Sequence, residues 1–101
     1  MDVKIEKTNG RAVINLDGRF DIKSNVTFRN ATKPLLEDAG LDAIVVDFAR
    51  VPFVDSSALG LLLLLRAQAQ EAKKDVFLTH CGADLQKVLS IAQFHRMFSI
   101  E

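Results

Sequence analysis

The sequence predicts an α/β domain: a small mixed β-sheet with an N-terminal antiparallel hairpin and helices packed against it. Three observations lead there. Two segments of alternating apolar and polar residues flank Asn9-Gly10, a turn dipeptide that accepts positive φ. Ala43-Ile44-Val45-Val46-Asp47-Phe48 is almost continuously apolar and rich in β-branched residues, the signature of a strand covered on both faces and usually parallel. Apolar residues at helical spacing fill the intervals around it. With 101 residues there is material for one core and not for two, so residues 1–101 are read as a single domain.

The elements follow in order. Val3 and Ile5 alternate with Asp2, Lys4 and Glu6, while Ala12, Ile14 and Leu16 alternate with Val13, Asn15 and Asp17. These are the two hairpin strands. Gly18-Arg19-Phe20-Asp21 is the exit loop, and a helix capped near Asp21 or Ser24 comes next. Phe28, Ala31, Leu35 and Ala39 would form its buried stripe. Pro34 removes an N–H donor and disfavours α geometry at Lys33, so a kink or a short second helix is expected there, with Gly40 as the stop. A long helix should run over residues 56–72, a strand over 75–79, and a third helix through Leu85, Val88, Leu89 and Ala92. Residues 97–100 add a small terminal strand. Right-handed crossovers would then set the helices against the sheet.

Composition narrows the function classes. Thirteen basic and thirteen acidic residues cancel, which leaves no global field to attract nucleic acid or anionic lipid. Cys81 is the only cysteine, so no intrachain disulfide forms and a reducing compartment fits best. The N-terminus lacks the apolar core of a signal peptide. The apolar block at residues 58–65, with Gly60 inside it, falls far short of the roughly 20 residues that span a bilayer. The expectation is a cytoplasmic protein without membrane insertion or direct nucleic-acid contact.

Enzyme and cofactor signatures are missing from the residues. No phosphate loop, dinucleotide fingerprint or Gly-x-Ser-x-Gly elbow occurs. His80-Cys81 and His95 match no metal spacing, and no oxyanion donor or third member accompanies a serine nucleophile. No catalytic residue, metal or cofactor is therefore assigned.

Asp55-Ser56-Ser57 is chemically more expressive. It opens the long helix, where free N–H groups and the positive end of the dipole favour an anion. Capping accounts for one such residue, at about 0.5–2 kcal/mol. The second hydroxyl is left over. Behind it, Leu61 to Leu65 cover more of the helix circumference than a one-sided stripe needs. Either this helix is a central core element, or some of the leucines wait for a partner.

These residues carry a resemblance. The Val-Asp-Phe strand end, Phe53-Val54-Asp55-Ser56-Ser57-Ala58-Leu59-Gly60 and the earlier Gly18-Arg19-Phe20-Asp21 closely resemble bacterial anti-sigma factor antagonists of the STAS family. The later Asp84-Leu85-Gln86-Lys87-Val88-Leu89 and the terminal Met97-Phe98 are similar to that family as well, so the likeness covers essentially the whole chain. It implies a STAS-like fold and a protein that is not an enzyme. Such antagonists bind an anti-sigma factor that is also an ATP-dependent serine kinase, and thereby free the sigma factor. The kinase phosphorylates a serine at the start of the second helix, and a serine phosphatase reverses this. The resemblance implies Ser57 as the modified residue, with Ser56 the runner-up. It implies a partner-binding surface that includes Asp21, Asp55, Ser56, Ser57 and Ala58, to which the leucine run adds Leu61. Ala58 stands where glycine is common in the family. The other readings are a STAS subunit of a transport or sensory assembly with a non-kinase partner, and an enzyme using Ser57 as nucleophile.

Overall fold

Asn9 and Gly10 take positive φ angles of 52° and 78°, which turn the chain within two residues and set Thr8 opposite Arg11. The turn joins β1 (Asp2–Thr8) to β2 (Arg11–Asp17) in antiparallel register. The Gly10 carbonyl accepts from the N–H groups of Asp42 and Ala43 at 2.7 and 3.3 Å, so the hairpin tip also fixes where the next strand begins. The computed structural model describes residues 1–101.

That strand, β3 (Ala43–Arg50), runs parallel to β2 on one side and to β4 (Asp75–Thr79) on the other. β5 (Ser99–Ile100) continues the sheet parallel to β4, giving the order β1-β2-β3-β4-β5. Each parallel crossover steps one strand further in the same direction. Right-handed connections therefore put α1 (Asn25–Glu37), α2 (Ser56–Glu71) and α3 (Ala83–Ile91) on one face of the sheet. The core lies between. Ile14 and Leu16 of β2, Ile44, Val46 and Phe48 of β3 and Leu78 of β4 meet Phe28, Leu35, Leu62, Leu65 and Leu89 from the helices. Each such side chain contributes about 1.5–3 kcal/mol relative to exposure.

The other sheet face has no helix, which modifies the expectation for β3. Val45 alternates away from the core residues Ile44 and Val46 but is still only 4% exposed. Val13 and Phe77 flank it in register, and the Arg11 guanidinium lies 5.0 Å over the Phe77 ring. Neighbouring side chains, not a second layer, cover this strand.

Pro34 does not divide the first helix, which is continuous over Asn25–Glu37, so no second helix starts there. Pro34 and Asn30 are both exposed, so water can satisfy the Asn30 carbonyl that loses its donor. Thr32 joins Phe28 and Leu35 in the buried stripe, whereas Ala39 lies beyond the helix and is exposed. The chain turns at Asp38, whose carboxylate accepts from Gly40 N–H at 2.9 Å and Lys7 Nζ at 3.0 Å. The bond from Lys7 holds the Asp38 carboxyl below its usual range, with the Gly40 N–H adding to the effect. Lys74 closes the same end of the domain. It is buried and donates to the carbonyls of Asp38 and Leu41, each at 2.7 Å. No helix is long and apolar enough to cross a membrane.

Candidate functional site

The site is assembled where β2 and β3 end side by side. Phe20 and Val54 form a parallel bridge; Phe20 N–H donates to the Phe53 carbonyl at 2.9 Å, and Asp55 N–H to the Phe20 carbonyl at 3.2 Å. These bonds dock the loop after β2 against the loop before α2. Two acidic caps then stand at neighbouring helix starts. Asp21 opens a 3-10 turn (Ile22–Ser24), accepting from Lys23 N–H at 3.1 Å while its own N–H donates to the Ser24 hydroxyl at 3.3 Å. Asp55, in extended backbone, accepts from Ala58 N–H at 3.0 Å and caps α2.

The two caps answer the question left open by the triplet. Asp55 supplies the cap, so neither serine hydroxyl is needed for it. Ser56 is exposed and Ser57 half-buried, both in the first turn of α2. Beneath them the floor is aromatic. Buried Phe20 packs on Phe28 with ring centroids 4.9 Å apart and on Phe48 at 6.3 Å. At the rim, the Arg19 guanidinium lies 4.1 Å over the half-exposed Phe53 ring, and Arg19 Nε is 3.6 Å from Asp21 Oδ2.

The leucine run divides cleanly. Ala58, Leu61, Leu62, Leu65 and Ala69 face the sheet and are buried. Leu61, at 6% exposed, belongs to the core and presents no surface to a partner, and Ala58, at 0%, lies under the site rather than on it. The outer side of α2 carries Ser56, Gly60, Leu63, Leu64 and Ala67 instead. The exposed leucines are Leu63 and Leu64.

Elsewhere the titratable groups do not form a reaction centre. No group of three or more His, Cys, Asp or Glu is arranged to hold a metal ion. His80 Nδ1 is 3.1 Å from Asp47 Oδ2. The Cys81 thiol is buried and pushed up to about 11, mainly by desolvation with the Asp47 charge adding to it.

Comparison with known proteins gives the family. The family model described as "Mlab, STAS domain" matches residues 3–99. The chain belongs to the STAS-domain family. A STAS-domain containing protein of Pseudomonas aeruginosa (strain UCBPP-PA14) is 36% identical over 87 residues, 86% of this chain and 84% of that protein. The fold resembles the Bacillus cell fate determinant SpoIIAA in its phosphorylated form, with TM-score 0.76 and 21% identity over 99% of this chain and 91% of the other. The unphosphorylated form of SpoIIAA, an anti-sigma factor antagonist, matches with TM-score 0.78 and 22% identity over 99% and 87%. An anti-sigma factor antagonist of Mycobacterium paratuberculosis matches with TM-score 0.86 and 17% identity over 98% and 83%.

The STAS domain thus brings Asp21, Asp55, Ser56 and Ser57 to one end of the sheet. Sequence reasoning missed the apolar rim around them. Ile22 is 67% exposed on the 3-10 turn, which lies against α2, and Val26 is 68% exposed in the first turn of the following helix. Their signal was available, since neither falls on the Phe28–Leu35 stripe at helical spacing.

Proposed function

We propose that this STAS domain is an anti-sigma factor antagonist controlled by phosphate. Unphosphorylated, it binds an anti-sigma factor that is also a serine kinase, in the cytoplasm, and so releases the sigma factor. Phosphorylation of Ser57 by that kinase breaks the complex, and a serine phosphatase restores it. The domain acts by binding and performs no catalysis. The observation that carries this reading is Ser57 itself: a half-buried hydroxyl in the first turn of α2, released from capping by Asp55, on a helix against which the 3-10 turn with exposed Ile22 lies.

The physics of that position supports a switch at the interface. Phosphoserine adds about −1.5 to −2 charges at neutral pH. A helix N-terminus tolerates them, because its dipole and free N–H groups favour an anion. The domain keeps its fold. A partner packed on Ser57 would have to desolvate the phosphate beside Asp55, a cost large enough to change affinity by orders of magnitude. The likeness to both forms of SpoIIAA, with TM-scores of 0.78 and 0.76, is in keeping with a switch that does not refold the domain.

The test is capture of partners from the source cell by wild type, Ser57→Ala and Ser57→Asp, with the phosphate located by mass spectrometry. Ser57→Ala should bind constitutively and carry no phosphate. Ser57→Asp should lose the partner while keeping its melting temperature. Equal capture by all three overturns the switch, and a phosphate found on Ser56 moves it by one residue. One second reading is a STAS subunit of a transport or sensory assembly with a non-kinase partner. That reading predicts capture of a non-kinase partner that is indifferent to Ser57→Asp.

A further inference from the structure

The sheet has two edges, and they differ. β5, at two residues, is too short to template another strand, whereas β1 runs for seven residues with unbroken register and no proline. The two-residue turn at Asn9-Gly10 makes Thr8 and Arg11 the closing hydrogen-bonded pair, so Asp2, Lys4 and Glu6 also direct their backbone groups to β2. Val3, Ile5 and Lys7 therefore direct theirs outward along the edge. No backbone hydrogen bond made outside the sheet ladders involves these three residues.

The side chains of this edge are patterned. Val3 and Ile5 pack against the core, which sends Lys4 and Glu6 to the open sheet face. Both are exposed, and neither enters an ion pair within the domain. Glu6 accepts from Asn15 at 3.1 Å through Oε1 alone. Suppose a second β1 is laid antiparallel along the first. Centred on Ile5, the pairing sets Ile5 opposite Ile5, Val3 opposite Lys7 and Lys4 opposite Glu6 of the other copy. Every outward N–H and C=O then meets a partner, and Lys4 and Glu6 face each other at non-hydrogen-bonded positions, where side chains are closest. Centring on Lys4 sets Lys4 against Lys4 and Asp2 against Glu6, and centring on Glu6 sets Glu6 against itself. Centring on Val3 matches charge but leaves Glu6 and Lys7 without partners. The charges and the backbone together select the Ile5 register.

We propose that β1 pairs in this register with β1 of a second copy of this chain, giving a symmetric dimer with one continuous sheet. Core-facing side chains lie opposite one another in that pairing, so both helical layers sit on the same face of the joined sheet. The flank of α1 turned away from α2 carries Thr27, Ala31 and Pro34, none of them charged, which lets two α1 helices approach across the junction. The two strands run in opposite directions, and the two Ser57 sites therefore point to opposite ends of the joined sheet.

The test is sedimentation equilibrium of wild type, Lys4→Glu and Glu6→Lys, alone and mixed. Wild type should dimerise reversibly below about 1 mM, with the Ile5 and Lys7 amides gaining hydrogen-exchange protection as concentration rises. Each single variant sets like charges opposite one another and should weaken dimerisation at least about ten-fold. Melting temperatures should match wild type at concentrations where all three are monomers. An equimolar mixture of the two variants sets a carboxylate against an amine at each of these positions and should restore dimers of wild-type affinity. A wild type that stays monomeric at about 1 mM, single variants that dimerise as well as wild type, or a mixture no tighter than its components would overturn the proposal. So would protection that grows with concentration on α2 and not on β1. No kinase or phosphate enters the experiment, so its failure leaves the Ser57 switch standing, and failure of the switch leaves the dimer.

Discussion

The two faces of this domain invert what their coverings suggest. The sheet face has no helical layer, and it would be the natural place for exposed apolar surface. Every large apolar side chain that is exposed lies instead on the helices, the 3-10 turn or the loop before α2. The sheet face is laced shut by polar groups. Asn15 donates to Glu6 at 3.1 Å, His80 pairs with Asp47 at 3.1 Å, and Arg11 covers Phe77 while reaching Glu101 at 3.3 Å. Such cover keeps a bare sheet from sticking to other chains. On the helical face Ile22, Val26, Leu63 and Leu64 are left exposed. One face is finished. The other leaves its apolar side chains open to solvent.

The sharpest way to break this comparison is to put a charge on each side of α2. Leu61→Glu buries a carboxylate among core leucines and should cost at least about 3 kcal/mol, a large share of the stability of a domain this size. Leu64→Glu places the same group on the outer side and should change stability by less than about 1 kcal/mol in urea titration. Similar losses from both would mean that α2 has no outer side, and the division of the two faces would fall.

Cys81 probes the boundary, because the core buries it while Asp47, on the sheet face, adds its charge. The rise from 9.0 to about 11 lowers the thiolate fraction about a hundredfold near neutral pH, so alkylation at pH 8 should be at least that much slower than in the urea-unfolded chain. The sign for stability follows from the same shift. The native thiol holds its proton more tightly than the unfolded one, so this contribution is intact below about 9 and is lost as pH rises to about 11. Rapid alkylation of the folded protein would show that the core is open at this end.

The smallest expected effect is on the sheet face. Arg11→Ala removes an exposed ion pair and a cation–π contact, together less than about 1 kcal/mol. It should nevertheless raise self-association above that of wild type in sedimentation, since Phe77 and Val45 lose their cover. An unchanged sedimentation profile would mean that the charges are not what keeps this face inert.

Much of the fold was legible in the residues because it depends on local periodicity and turn chemistry. The Asn9-Gly10 hairpin, the strand Asp75–Thr79, and the start of α2 at Ser56 all lie where spacing and capping put them. The caps were readable as pairs, Asp21 or Ser24 and Asp55 or Ser56, and the structure chooses the acidic member of each. Pro34 starts no second helix because its cost depends on which side of the helix it occupies, and the outer side lets water replace the lost bond.

The sequence by itself determined the kind of each element, the single small domain, and the serine pair at a helix start. It could not choose among the leucines of α2. A helix that is apolar nearly all round has no preferred face of its own, so only packing on β2, β3 and β4 decided that Leu61, Leu62 and Leu65 turn inward while Leu63 and Leu64 stay outside. The tertiary structure also decided that all three helices share one face, because strand order combined with crossover handedness is a global property. That choice left Ser57 and the exposed apolar side chains of the helices on the same side of the sheet.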